Sequence, residues 1–243
     1  MSVSTRGIVV GRESFGEADQ YIQFFTEDYG LVTALARSAR KSKRRYVGGL
    51  DLFCHDEIFL RGNPSERAYL NELTVLNSFP QLRELLPRLL VAGRVVHWVR
   101  KLANVATPMP NIYRLLGQTL TLIEKESDED RFELLNLLFR IKFLSALGLE
   151  PRLNSCIRCE NETSEPFVFD TSAGGMICRA CTEGYHVDST SVIQRIERDF
   201  VVGLNKMQLS KWSELRSGLD YADRWNRLLL QFTTFHTHVK LPI

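Results

Sequence analysis

Cysteine sulfur offers the most specific chemistry in this sequence. Cys156-Ile-Arg-Cys159 is followed, after 18 residues, by Cys178-Arg-Ala-Cys181. Two cysteines separated by two residues can turn both sulfurs inward from one tight knuckle. Two such knuckles complete a tetrahedron around zinc, with Zn–S bonds of about 2.3 Å, and the spacing is that of four-cysteine zinc sites. Four thiolates leave no open position for water, so the expected ion is a structural zinc, one per chain. Four unrelated thiols or two disulfides are the rival readings; the spacing speaks against the first and a reducing compartment against the second. His186, five residues beyond Cys181, is a rival ligand by position but reads as a surface residue. Cys54 stands apart and reads as a core thiol.

Charge supplies the second candidate. Arg37, Arg40, Lys41, Lys43, Arg44 and Arg45 place six cations within nine residues, and no acidic residue occurs from Leu31 through Leu50. The bulk composition is balanced, with 31 basic against 29 acidic residues and a net charge of +2, so a polyanion must be held by a local patch. This one-sided run suits tracking of phosphates without sequence readout, and Tyr46 beside it is expected to offer an aromatic face to a base. A third candidate lies further on, where Arg94, His97 and Lys101 recur at helical spacing beside Val95, Trp98 and Leu102. Such a face suits an extension of the polyanion footprint or an acidic peptide, and an ordinary solvated helix face has the same pattern.

Catalytic signatures are weak. His55-Asp56-Glu57 matches the H-x-E half of a zinc deaminase motif. However, about a hundred residues separate it from Cys156, no proline precedes that cysteine, and the second cysteine pair would have no purpose. No Walker loop, G-x-G-x-x-G or G-x-S-x-G occurs. The expectation is a protein that is not an enzyme.

Two kinds of element must position these groups. Over the first 80 residues, five short β-branched and aromatic segments alternate with turns: Ile8 to Val10, Tyr21 to Phe25, Leu31 to Ala36, Leu52 to Leu60 and Ala68 to Leu76. Such a meander suits a small antiparallel barrel of OB type. Helical periodicity then takes over, with helices expected at 87–104, 111–126 and 131–147, the last closed by Gly148. In that third helix only Glu133, Asn136 and Arg140 are polar in one stripe, which places it mid-bundle. The cysteine segment interrupts the helices, and its Gly174-Gly175 turn suggests a hairpin. Helical patterns return at Val192 to Leu204 and Tyr221 to Val239, to pack on the first helices. The expected class is α+β: a barrel over 1–80, a helical domain over 81–150 and 188–243, and a zinc-finger insertion over 151–187.

No run of about 18 apolar residues occurs, so no membrane span is expected, and the N-terminus carries no apolar stretch of signal-peptide length. The expected location is the cytoplasm.

The pieces together resemble the RecO family of bacterial recombination mediators. The resemblance runs through Gly7-Ile-Val-Val, Gly16-Glu-Ala-Asp-Gln-Tyr, Phe25-Thr-Glu-Asp-Tyr-Gly-Leu-Val and Ala36-Arg-Ser-Ala-Arg-Lys-Ser. It continues through Phe143-Leu-Ser-Ala-Leu-Gly-Leu-Glu-Pro to the two cysteine knuckles. It implies an OB-fold, a helical domain with a zinc finger, and binding to single- and double-stranded DNA. It also implies strand annealing, help in loading RecA onto strands coated with single-strand-binding protein (SSB), and RecR and the acidic SSB tail as partners. The sequence departs at Ser38, where members often carry glycine. The rival from another class is a zinc-containing RNA-binding or regulatory protein.

Overall fold

The computed structural model describes residues 2–42, 44–162, 166–183 and 192–241. Five strands, β1 (Ser2–Phe15), β2 (Asp19–Thr26), β3 (Gly30–Ala36), β4 (His55–Asn63) and β5 (Arg67–Asn77), close a barrel in the order β1-β2-β3-β5-β4. All pairings are antiparallel except β3 with β5, which closes the barrel in parallel at Ala34–Ala68 through Ala36–Leu70. Alternation sets the inside: Ile22, Phe24, Val32, Ala34, Ile58 and Leu60 are buried in one core. A register shift between Val9 and Gly11 bends β1.

Two helices belong to the same compact unit, which spans Met1–Ser127. Helix α1 (Leu86–Leu102) starts with Pro87 in its first turn, and α2 (Pro110–Lys125) starts on its proline. The buried face of α1 carries Val91, Val95, Trp98 and Val99. Tyr113 of α2 bonds His55 of β4, with Oη and Nε2 2.8 Å apart. Gly30, at φ +65°, turns the chain from β2 into β3 where a Cβ would strike the Thr107 carbonyl.

The second unit spans Asp128–Ile243. Helix α3 (Phe132–Ala146) is buried around most of its circumference, and Gly148 at φ +72° closes it, with Leu149 N donating to Leu144 O at 2.9 Å. Of its polar stripe, Asn136 and Arg140 are buried and Glu133 is partly so. Arg140 donates to the Asn226 carbonyl at 2.7 Å, and Asn226 Nδ2 donates to the Glu133 carbonyl at 2.8 Å. Strands β6 (Phe167–Asp170) and β7 (Gly175–Cys178) form the hairpin, and a two-residue β8 (Val192–Ile193) pairs with β6.

Helix α4 (Arg195–Lys206) therefore starts later than its apolar pattern indicates, because Val192 and Ile193 are taken by the sheet. Helix α5 (Leu219–Thr237) packs on α3 and buries Trp225, Leu229 and Phe232, whereas Phe235 is half exposed. The returning helices thus pack on α3, while α1 and α2 group with the barrel.

Candidate metal centre and nucleic-acid surface

The first knuckle is held by its own backbone. Cys156 N donates to the Asn161 carbonyl at 2.9 Å, and Glu160 N donates to the Cys156 carbonyl at 2.9 Å. Arg158 N points at Cys156 Sγ from 3.4 Å. Ile157 N donates to the Met176 carbonyl at 2.8 Å, which ties this knuckle to β7, and β7 ends at Cys178. The second knuckle is the 3-10 turn Arg179–Thr182, which carries Cys181. On its other side the hairpin is fixed to α5, with Phe169 against Trp225 at 5.8 Å and Phe232 at 6.2 Å.

All four cysteine sulfurs lie within 4.8 Å of one another, with Cys159 Sγ 3.6 Å from Cys178 Sγ. Ligands 2.3 Å from a tetrahedral centre sit about 3.8 Å apart, so the cluster has the size of a metal-filled site. A disulfide would need about 2.05 Å. Burial alone would raise the Cys156 thiol, but the backbone at Cys178, Cys159 and Arg158 donates to its sulfur and brings it down. The sulfurs of Cys159 and Cys178 push Cys181 up, so the four thiols share their protons. A thiolate at neutral pH is the form a metal ligand needs. These four cysteines can hold a metal ion.

In the first unit the basic run lies beside the β1–β2 turn. Arg40 N donates to the Ala18 carbonyl at 3.1 Å, Ser38 N donates to Asp19 Oδ1 at 2.7 Å, and the Arg40 guanidinium bonds Ser14 Oγ. Ser38 sits at φ 55°, the left-handed region that glycine occupies without strain, so the expected glycine position does require that backbone. Arg37, Arg40, Lys41, Arg44 and Arg45 are exposed, while Lys43 and His186 lie outside the described residues. Arg45 donates to the Arg37 carbonyl at 2.8 Å, and Arg37 stacks over Tyr69 at 5.1 Å. Arg61 of β4 covers the same Tyr69 ring at 5.7 Å. The pairing of β4 with β5 brings it there, and nothing near it in sequence signals this.

Tyr46 corrects an expectation. It is only 4% exposed, and its hydroxyl donates to the Leu70 carbonyl at 2.9 Å inside the barrel. A ring on the core side of a charged run satisfies both burial and the Leu70 carbonyl, so it anchors the loop and offers no face to a base.

These two constellations stand on a chain whose relatives are plain. The description "Recombination protein O N terminal" matches residues 1–79, and "Recombination protein O C terminal" matches residues 83–241. The chain belongs to the RecO family. It is 33% identical over 180 residues to the DNA repair protein RecO of Syntrophus aciditrophicus, covering 73% of this chain and 68% of that one. The match to DNA repair protein RecO of Alkaliphilus metalliredigens is 30% over 192 residues, covering 79% and 76%. That of Rubrobacter xylanophilus is 32% identical over 190 residues, covering 77% and 75%. The two RecO matches divide the chain near residue 80, where the period of the sequence changes, whereas packing divides it after Ser127.

The face of α1 differs from its sequence reading. Arg94 and His97 are half-buried and Lys101 is exposed, but Val95 and Trp98 are fully buried in the core. Burial, then the charges of Arg100 and Lys101, lower the His97 pKa, so this ring is neutral at pH 7 and adds no cation. The apolar groups that do share the face are Leu86, 66% exposed, and Leu90, 54% exposed. No described helix is long and apolar enough to cross a membrane.

Proposed function

We propose that this chain is a non-enzymatic recombination mediator in DNA repair. It binds single- and double-stranded DNA, anneals complementary strands and, with RecR, helps load RecA onto strands coated with SSB. It works at the nucleoid in the cytoplasm. The observation that carries the reading is the exposed cationic segment at Arg37, Arg40, Lys41, Arg44 and Arg45, joined by Arg61 at the same end of the barrel. Phosphate contacts from such a patch give affinity that falls with salt and does not depend on sequence.

Lys41 and Arg44 are the cleanest probes, since neither side chain bonds a described neighbour. Each neutralised phosphate of a single strand contributes about 0.7 to the slope of log affinity against log salt. Changing both to Ala lowers that slope by about 1.4 and slows annealing of SSB-coated strands. An unchanged slope and annealing rate in this variant would remove the loop from the DNA footprint. Replacing the DNA by RNA of the same length tests the RNA-binding rival.

The metal of the four cysteines is zinc in this reading, since four thiolates in a closed tetrahedron suit it. The α1 face at Arg94 and Lys101 takes the acidic SSB tail, with Leu86 and Leu90 receiving its apolar end. Charge reversal at Arg94 and Lys101 should weaken a tail peptide several-fold to a hundredfold, with DNA affinity nearly intact. Equal binding by wild type and variant would move the tail elsewhere.

A further inference from the structure

A cavity of about 280 Å³ opens on the outer face of the barrel, lined by Arg12, Glu13, Tyr21, Gln23, Thr33 and Arg100. Its floor comes from three adjacent strands: Gly11 faces Gln23, Glu13 faces Tyr21, and Gln23 faces Thr33. Arg100 of α1 reaches over the rim. Gln23 and Arg100 both lie over Gly11, where a Cβ would meet Gln23 Oε1 at 2.5 Å and Arg100 Cδ at 3.1 Å. The register shift just before Gly11 sets the strand's course into the cavity.

We propose that this cavity receives one unstacked base of single-stranded DNA, laid against Tyr21 and bonded at its edge by Gln23, Glu13 and Arg100. The proposal rests on the DNA-binding reading and assigns to it a contact that the cationic loop lacks. Tyr21 provides a half-exposed ring, and Phe15 continues it at 5.0 Å between centroids, itself 49% exposed. The polar lining offers donors from arginine, an acceptor from glutamate and both from the amide. A base edge presents donors and acceptors in the same plane as its π-face.

Other ligand classes fit less well. A divalent cation would face two guanidinium groups. A bare phosphate would meet Glu13, and Arg12 is already paired with Asp51 at 2.6 Å. At about 280 Å³ the cavity lies just below the usual range for small-molecule sites, roughly 300–1,000 Å³, and suits a base more than a large cofactor. The loop reaches the same end of β1, because Arg40 is bonded to Ser14, whose neighbours Glu13 and Phe15 turn to the cavity's side of the strand.

The test compares a thymine oligonucleotide with an abasic one of the same length and phosphate count, at several salt concentrations, for wild type, Tyr21→Leu and Tyr21→Phe. Wild type should prefer the thymine strand by about five- to a hundredfold, the range for stacking of one base. Tyr21→Leu should lose that preference and keep the salt slope, and Tyr21→Phe should retain the preference. If Tyr21→Leu does not fold, Thr33→Met fills the cavity from an exposed strand position and should abolish the preference equally. Equal affinity of wild type for the two strands, or a preference that survives both cavity variants, overturns the proposal while the cationic-loop reading stands. Failure of wild type to bind either strand overturns both.

Discussion

Asp56 is a carboxylic acid inside a hydrophobic barrel, and its titration should be visible in stability. It alternates inward with Ile58 and Leu60 along β4, is 0% exposed, and neither oxygen has a hydrogen-bond partner among the described residues. Gly49 of the loop closes over it so tightly that a Cβ at Gly49 would lie 2.9 Å from Asp56 Oδ1. Burial, with no compensating cation, raises its pKa from 3.8 to about 8. The folded protein therefore holds a proton that the unfolded chain has lost throughout the window between these values. Unfolding releases it, so stability falls as pH rises through that window and levels off above about 8.

Each pH unit in the window is worth about 1.4 kcal/mol. From pH 6 to pH 8, allowing for partial ionisation of the folded state at the upper end, the loss is about 2 kcal/mol. Asp56→Asn keeps the shape and removes the titration. Urea unfolding of both proteins at half-unit steps should show the variant gaining on wild type by about 2 kcal/mol between pH 6 and pH 8. Other titrating groups are common to both proteins and cancel in the difference. Burial lowers the pKa of His55 and His97, so these rings act below pH 6.5 with the opposite sign. A difference between variant and wild type that stays flat across the window would mean that Asp56 is ionised or solvated in the fold.

Three further outcomes follow from the same geometry. Cys178→Ser removes one of four ligands and should release the metal, measured by elemental analysis, and lower the melting temperature; metal content equal to wild type would refute the four-thiolate site. Tyr46→Phe should cost about 1 kcal/mol in denaturant unfolding by leaving the Leu70 carbonyl unpaired, with DNA affinity unchanged, whereas a base-stacking Tyr46 would instead show its loss in affinity. Ser38→Gly should be neutral or stabilise by up to about 1 kcal/mol, because the φ of 55° strains serine. Ser38→Val should destabilise by more than about 1 kcal/mol; unchanged stability on that substitution would mean that the loop has another backbone.

What could be read from sequence follows from how local each feature is. The metal site was legible because a C-x-x-C knuckle is built by its own four residues, and the hairpin that joins the knuckles announces its turn at Gly174-Gly175. The barrel was legible in its five segments, since alternation and turn residues act over a few positions. Its closure through β3 and β5 is a long-range pairing that no local pattern encodes.

Tyr46 was misread for a definite reason. Charges in a run report that their own side chains reach water, but they say nothing of the side on which an interleaved ring falls. The inward turn at Tyr46 is decided by the Leu70 carbonyl, 24 residues away. The outer-face cavity lies further from view, because Glu13, Tyr21, Gln23, Thr33 and Arg100 are neighbours only after the strand registers are fixed and α1 has packed beside β1. The same packing explains why residues 81–127 change period at the barrel's end yet remain in its compact unit. Periodicity marks where the backbone changes from strand to helix, whereas the buried face of α1, with Val91, Val95 and Trp98, decides which body the helix completes.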